Sequence, residues 1–131
     1  MGETGRDFTA CLILIGNEIL SGRTQDANLQ HIAVTLNGWG VRLREVRVIP
    51  DIEKTIVDTV NECRAAFDYV FTTGGIGPTH DDITAASIAK AFGVDLVKHQ
   101  ESFEAMAARY PDPGDFNDAR QKMCFIPDGA E

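Results

Sequence analysis

Tyr69-Val70-Phe71-Thr72-Thr73-Gly74-Gly75-Ile76-Gly77-Pro78-Thr79-His80-Asp81-Asp82-Ile83-Thr84 runs from an apolar stretch through a glycine-rich turn into a helical pattern. A strand that feeds directly into a helix is the repeating unit of α/β folds. In those folds the connecting turn lies beyond the carboxyl end of the strand, where ligands bind. Glycines at 74, 75 and 77 leave backbone N–H groups uncovered, and a helix N-terminus follows at once. Together these make a cradle for an oxyanion such as a phosphate. Asp81 and Asp82 close the turn. Two carboxylates beside a bound anion repel it unless a cation intervenes, which points to Mg2+ or another divalent ion held by oxygen.

The same alternation extends in both directions. Ala10-Cys11-Leu12-Ile13-Leu14-Ile15 is continuously apolar, the mark of a strand covered on both faces. Leu29, Ile32, Ala33 and Leu36 recur at helical spacing, and Gly38 and Gly40 end that helix. Residues 41–49 alternate as a second strand, and Pro50-Asp51 opens a helix carrying Ile56, Val60 and Cys63 on one face. After the third strand and its glycine turn come a helix stopped by Gly93, a fourth strand over 94–97 and a helix striped by Phe103, Met106 and Tyr110. A short helix at 116–121 and a fifth strand over 123–126 complete the pattern. This order predicts one α/β domain with a mostly parallel sheet and helices on both faces. Residues 1–8 read as a loose N-terminal tail and 9–131 as the domain.

With 131 residues, 44% apolar and 24% charged, the chain has the make-up of a single globular domain. No run reaches the roughly 18 apolar residues that span a bilayer. The opening Met1-Gly2-Glu3-Thr4-Gly5-Arg6-Asp7 lacks a secretory layout, so a cytoplasmic location is expected. A net charge of −8 argues against nucleic acid or an anionic membrane as partner. Cys11, Cys63 and Cys124 are scattered and odd in number, which argues for buried free thiols over a disulfide framework or zinc site.

The turn matches neither the G-x-G-x-x-G pattern nor a Walker A loop. Either of its aspartates alone is explained by capping or by the helix dipole; the pair beside a phosphate cradle is not. His80 reads as a solvated loop residue. Asp51 reads as a helix cap at the same sheet edge as the ligand. In residues 16–28, Glu18 and Asp26 add carboxylates, Thr24 is a candidate cap, and Ser21 and Arg23 are within reach of ligand oxygens. Ser21 has no nucleophile-elbow context. Trp39, between two glycines, reads as partial core.

The motifs Gly16-x-Glu18-Ile19-Leu20-Ser21-Gly22, Asp26-x-Asn28, Pro50-Asp51 and Thr73-Gly74-Gly75-x-Gly77-Pro78-Thr79-x-Asp81-Asp82-x-Thr84 occur in order. They resemble the molybdopterin-binding domain family, which includes molybdopterin adenylyltransferases, gephyrin domains and the N-terminal domain of the competence/damage-inducible protein CinA. The resemblance implies a three-layer α/β/α sandwich. From the adenylyltransferase branch it implies catalytic roles for Asp51 and Asp82 with Mg2+, the metal being held by Asp81 and Asp82. Ligand contacts are implied at Gly16, Glu18, Ser21, Thr73, Gly74, Gly75, Gly77 and Thr79. Asp81 stands where that branch carries a basic residue, so the pattern looks more like the CinA branch, which is associated with hydrolysis of the ADP-ribose pyrophosphate. Domains attached to FAD synthases are associated with FAD hydrolysis. Asn17 departs from the Asp common in CinA-like chains, and family members continue past the position of Glu131, which implies a domain cut short at its C-terminal end. Expected ligands are a phosphate-bearing nucleotide or a pterin, molybdopterin included. The expected reaction is pyrophosphate cleavage, with adenylylation or simple binding as alternatives. Relatives form dimers and trimers, implying a homo-oligomer.

Overall fold

The computed structural model describes residues 7–131. Residues 1–6 of the expected tail lie outside the described residues. The tail gives way to structure earlier than expected, because strand β1 covers Phe8–Ile15. Phe8 pairs with Val41 across the sheet, and its ring lies 6.1 Å from that of Tyr69.

β1 is the central strand. It pairs in parallel with β2 (Val41–Ile49) on one side and β3 (Tyr69–Thr73) on the other. Every residue from Ala10 to Ile15 is at most 2% exposed. That explains the uninterrupted apolar run: alternate side chains go to opposite faces, and both faces are covered. Cys11, Ile13 and Ile15 pack with Ile49 of β2 and with Ile56, Val60 and Cys63 of helix α3 (Glu53–Ala66). Ile88 and Ala91 of helix α4 (Thr84–Phe92) add to this cluster. Helices α1 (Asn17–Leu20) and α2 (Leu29–Gly38) belong to the β1–β2 connection, and both contact β2.

The β1–β2 ladder slips by one residue: Ala10 faces Leu43, but Cys11 faces Glu45, leaving Arg44 as a bulge. The slip explains why the apolar alternation of β2 changes phase between Leu43 and Val46. A bulge restores the inward set after each change of phase.

The last two strands do not join the parallel sheet. β4 (Leu96–Lys98) and β5 (Phe125–Pro127) form a separate antiparallel ladder. Between them lie α5 (Gln100–Ala107), α6 (Asp118–Gln121) and a 3-10 turn over Lys122–Cys124. Both strands start later than their sequences suggest. Gly93 is left-handed (φ 70°) and Val94 donates its amide to Ala89, so 94 still serves the end of α4. Met123 and Cys124 are taken by the 3-10 turn, where the Cys124 thiol is buried within 3.5 Å of the Met106 sulfur.

Trp39 corrects the expectation of partial core: it is 73% exposed. It is the residue that ends α2, its amide bonded back to Leu36, with left-handed Gly40 next in the chain. The fold is nevertheless the α/β type expected, a central parallel sheet flanked by helices.

Ile56 is fully buried at the centre of the β1–α3 contact. Ile56→Ala is expected to cost about 2–5 kcal/mol, seen as a lower urea midpoint with an unchanged slope.

Candidate active site

The carboxyl ends of β1, β2 and β3 open into a cleft of about 590 Å3. Three segments wall it: residues 15–19 and 23–28 after β1, Asp51 after β2, and the turn after β3. Of the residues singled out from sequence, Gly16, Glu18, Asp51, Thr73, Gly74, Gly75, Thr79, Asp81 and Asp82 all line it. Ser21 and Gly77 do not. The Ser21 hydroxyl donates to the Glu18 carbonyl and receives Arg23 Nε at 3.2 Å, so it braces the segment from outside. Gly77 faces a smaller pocket behind the turn, lined by Ile76, Met123 and Phe125.

The glycines of the turn are required by close approach. A Cβ on Gly74 would stand 2.0 Å from the Ile15 carbonyl oxygen, and one on Gly75 would stand 2.1 Å from the Thr84 hydroxyl. Both have positive φ, 92° and 70°. Thr84, 1% exposed, donates its hydroxyl to the Gly74 carbonyl at 2.8 Å and its amide to the Gly75 carbonyl at 3.0 Å. The helix start is thereby tied back onto the turn.

Asp82 is not a helix cap. The residue before α4 is Ile83, which makes no side-chain cap. Instead the Asp82 carboxylate accepts the Thr79 amide at 2.9 Å and the Thr79 hydroxyl at 2.8 Å. Partial burial alone would push its carboxyl up. The Thr79 bonds, the Gly77 amide and the charge of Lys122 outweigh that, and the carboxyl is held below its usual value. Asp82 therefore fills part of the anion cradle expected for a ligand. Lys122, distant in sequence, donates to the Thr79 carbonyl and locks the far side of the turn. No local sequence signal announces that contact.

Capping expectations also change at the other walls. Helix α3 is preceded by Ile52 without a side-chain cap, so capping does not explain Asp51. The Leu29 amide is bonded by Asp26 at 2.8 Å, which gives Asp26 the role expected of Thr24. Glu18 folds over Gly16, where a Cβ would stand 1.9 Å from Glu18 Oε1. Asp81 is exposed, with His80 Nε2 at 3.2 Å.

Five carboxylates (Glu18, Asp26, Asp51, Asp81 and Asp82) thus line the cleft against one guanidinium, Arg23. Among the described residues they do not converge into a group of three within 4.8 Å of one another. A cation here would draw on one or two carboxylates, water and ligand oxygens, as Mg2+ does. Glu18 and Asp51 make no side-chain hydrogen bond or ion pair among the described residues, so they are the carboxylates left available.

A parallel sheet with a cleft at its carboxyl edge defines an α/β domain of the kind whose ligands bind at that edge. A family profile described as "Probable molybdopterin binding domain" matches residues 11–127, and the chain belongs to that family. The crystal structure of CinA from Thermoplasma acidophilum, of unknown function by its description, is similar at a TM-score of 0.87 and 32% identity, over 94% of this chain and 72% of that one. The tungsten cofactor synthesizing protein MoaB of Pyrococcus furiosus shares the fold at a TM-score of 0.61 and 24% identity, over 82% and 66%. A protein of Pyrobaculum calidifontis is 38% identical over 123 residues, 93% of this chain and 47% of its own length. The chain spans about half the length of the curated relatives it matches. Among the described residues no helix is long and apolar enough to cross a membrane.

Two outcomes follow from the turn. Gly75→Ala places a methyl against Thr84 at positive φ and is expected to abolish ligand binding in calorimetry while lowering Tm. Asp82→Asn is expected to reduce stability most at neutral pH. A depressed carboxyl contributes above its unfolded value, near 3.9, and that contribution fades as pH falls through the lower folded value. Urea unfolding of both proteins at pH 7 and pH 3 should find the gap narrowed at pH 3.

Proposed function

We propose that this cleft binds the pyrophosphate of a nucleotide such as ADP-ribose with a divalent cation and hydrolyses it. The observation that carries the reading is the meeting of a glycine turn with five carboxylates at the ends of three parallel strands. An anionic ligand would not enter so acidic a cleft alone, and the free carboxylates are the hard oxygen donors that a divalent cation takes.

Asp51 and Glu18 are carried by different segments of the cleft, after β2 and β1, and each has its carboxylate available. Asp51 is proposed as the catalytic carboxylate, orienting a water for attack on phosphorus, with Glu18 and Asp81 completing the polar wall. Asp82 holds the turn through Thr79, so its contribution to catalysis would be to keep the glycine turn in the shape that lines the cleft. Arg23, in the cleft wall, would meet a terminal phosphate or ribose oxygen. The bound cation would polarise the phosphoryl oxygen and offset the charge developing on it.

A second reading is binding or adenylylation of molybdopterin, favoured by the family to which the chain belongs and by the cofactor-synthesis names of relatives such as MoaB. The two separate in one assay. Incubation with ADP-ribose or FAD and Mg2+, Mn2+ or Co2+ should release AMP, and chelator should stop it. Retention of a pterin without turnover, or its ATP-dependent adenylylation, would replace the hydrolase reading. Asp51→Asn should lower AMP release by at least ~100-fold, about 3 kcal/mol of barrier, with Tm nearly unchanged. Full activity in that variant would remove Asp51 from the mechanism.

A further inference from the structure

Behind the cleft, the β1–α3 contact contains a chemical pair that the proposed activity does not use. Cys11 on β1 and Cys63 on α3 are both fully buried, with their sulfurs 3.2 Å apart. They are 52 positions apart in sequence, so only the packing of α3 on the sheet brings them together. The separation is shorter than an ordinary sulfur–sulfur contact and longer than the ~2.05 Å of a disulfide. Glu45, facing Cys11 across the ladder, comes within 4.8 Å of both sulfurs.

Two thiols and a carboxylate could suit a soft metal ion, but the surroundings argue otherwise. Glu45 is committed to Arg47, which also binds Glu62. Tetrahedral thiolates on zinc stand roughly 3.8 Å apart, so a metal would have to spread a packed core. A disulfide needs the opposite movement, about an ångström of closure. Both sulfurs are fully buried, so a small reagent reaches them through local opening of the packed elements. The bulge at Arg44 interrupts the ladder immediately beside Cys11, and β2 is an edge strand.

We propose that Cys11 and Cys63 form an oxidisable dithiol, which a small hydroperoxide converts to an intramolecular disulfide that locks β1 to α3. Burial and the neighbouring thiol push Cys11 up to about 12, so Cys11 stays protonated, and either sulfur can donate in its contact with Cys63. Cys63 is the sulfur proposed to attack. It takes one oxygen from the peroxide, releasing water (or an alcohol) and becoming a sulfenic acid. The Cys11 sulfur displaces that hydroxyl as it loses its proton, forming the S–S bond and a water. Two thiols lose two electrons and two protons, and the peroxide is reduced.

Hydrogen peroxide treatment of the whole chain, followed by thiol titration in denaturant and peptide mapping, tests this. The titratable thiols should fall from three to one, with a mass loss of about 2 Da. The bridged peptides should contain Cys11 and Cys63, and the bridged form should melt on the order of 10 °C higher than the reduced form. Cys124→Ser should still lose both remaining thiols. Three retained thiols, a bridge to Cys124 or between chains, oxidation of single cysteines only, or a bridged form no more stable than the reduced one would overturn the proposal. None of these outcomes depends on turnover at the cleft.

Discussion

The buried clasp between Thr84 and the Gly74-Gly75 carbonyls is the constraint on which the site depends. It joins the end of β3 to the start of α4 with two hydrogen bonds made by a buried side chain and its amide, where water does not compete. Because Thr84 comes so close, position 75 has no room for a side chain. Because β3 runs beside β1, position 74 has none either. The glycines are thus consequences of packing as much as of ligand chemistry. Both glycines line the cleft, and the clasp fixes their carbonyls.

Charge in the cleft is divided between construction and availability. Asp82 is spent on Thr79, Asp26 on the Leu29 amide, and Lys122 on the Thr79 carbonyl. These groups define the shape of two walls. Glu18 and Asp51 remain, on different walls and carried by different segments. A sheet of three parallel strands makes this division simple, since each strand end delivers its own loop to the same edge.

Much of this was legible in the chain. The continuous apolar run at 10–15 announced an inner strand because both faces are covered, and the spacing of Ile56, Val60 and Cys63 announced the helix face that covers one of them. The glycine turn was legible because positive φ and close approach leave a sequence mark. Other features left none. β4 and β5 look like further strands of a parallel sheet, yet pair with each other, because strand pairing is chosen by distant partners. Trp39 carries an apolar side chain but ends a helix at the surface. Asp51 looks like a cap and is not one, since the helix starts a residue later than its proline suggests.

By itself the sequence determined the order and type of the main elements, the place of the glycine turn and its likeness to a molybdopterin-binding family, because these rest on local periodicity and backbone demands. Tertiary structure alone decided which carboxylates are occupied and which are available, that Lys122 secures a turn over 40 positions away, and that Cys11 meets Cys63. Those outcomes depend on distances between segments remote in the chain, and no local pattern of residues encodes a distance of that kind.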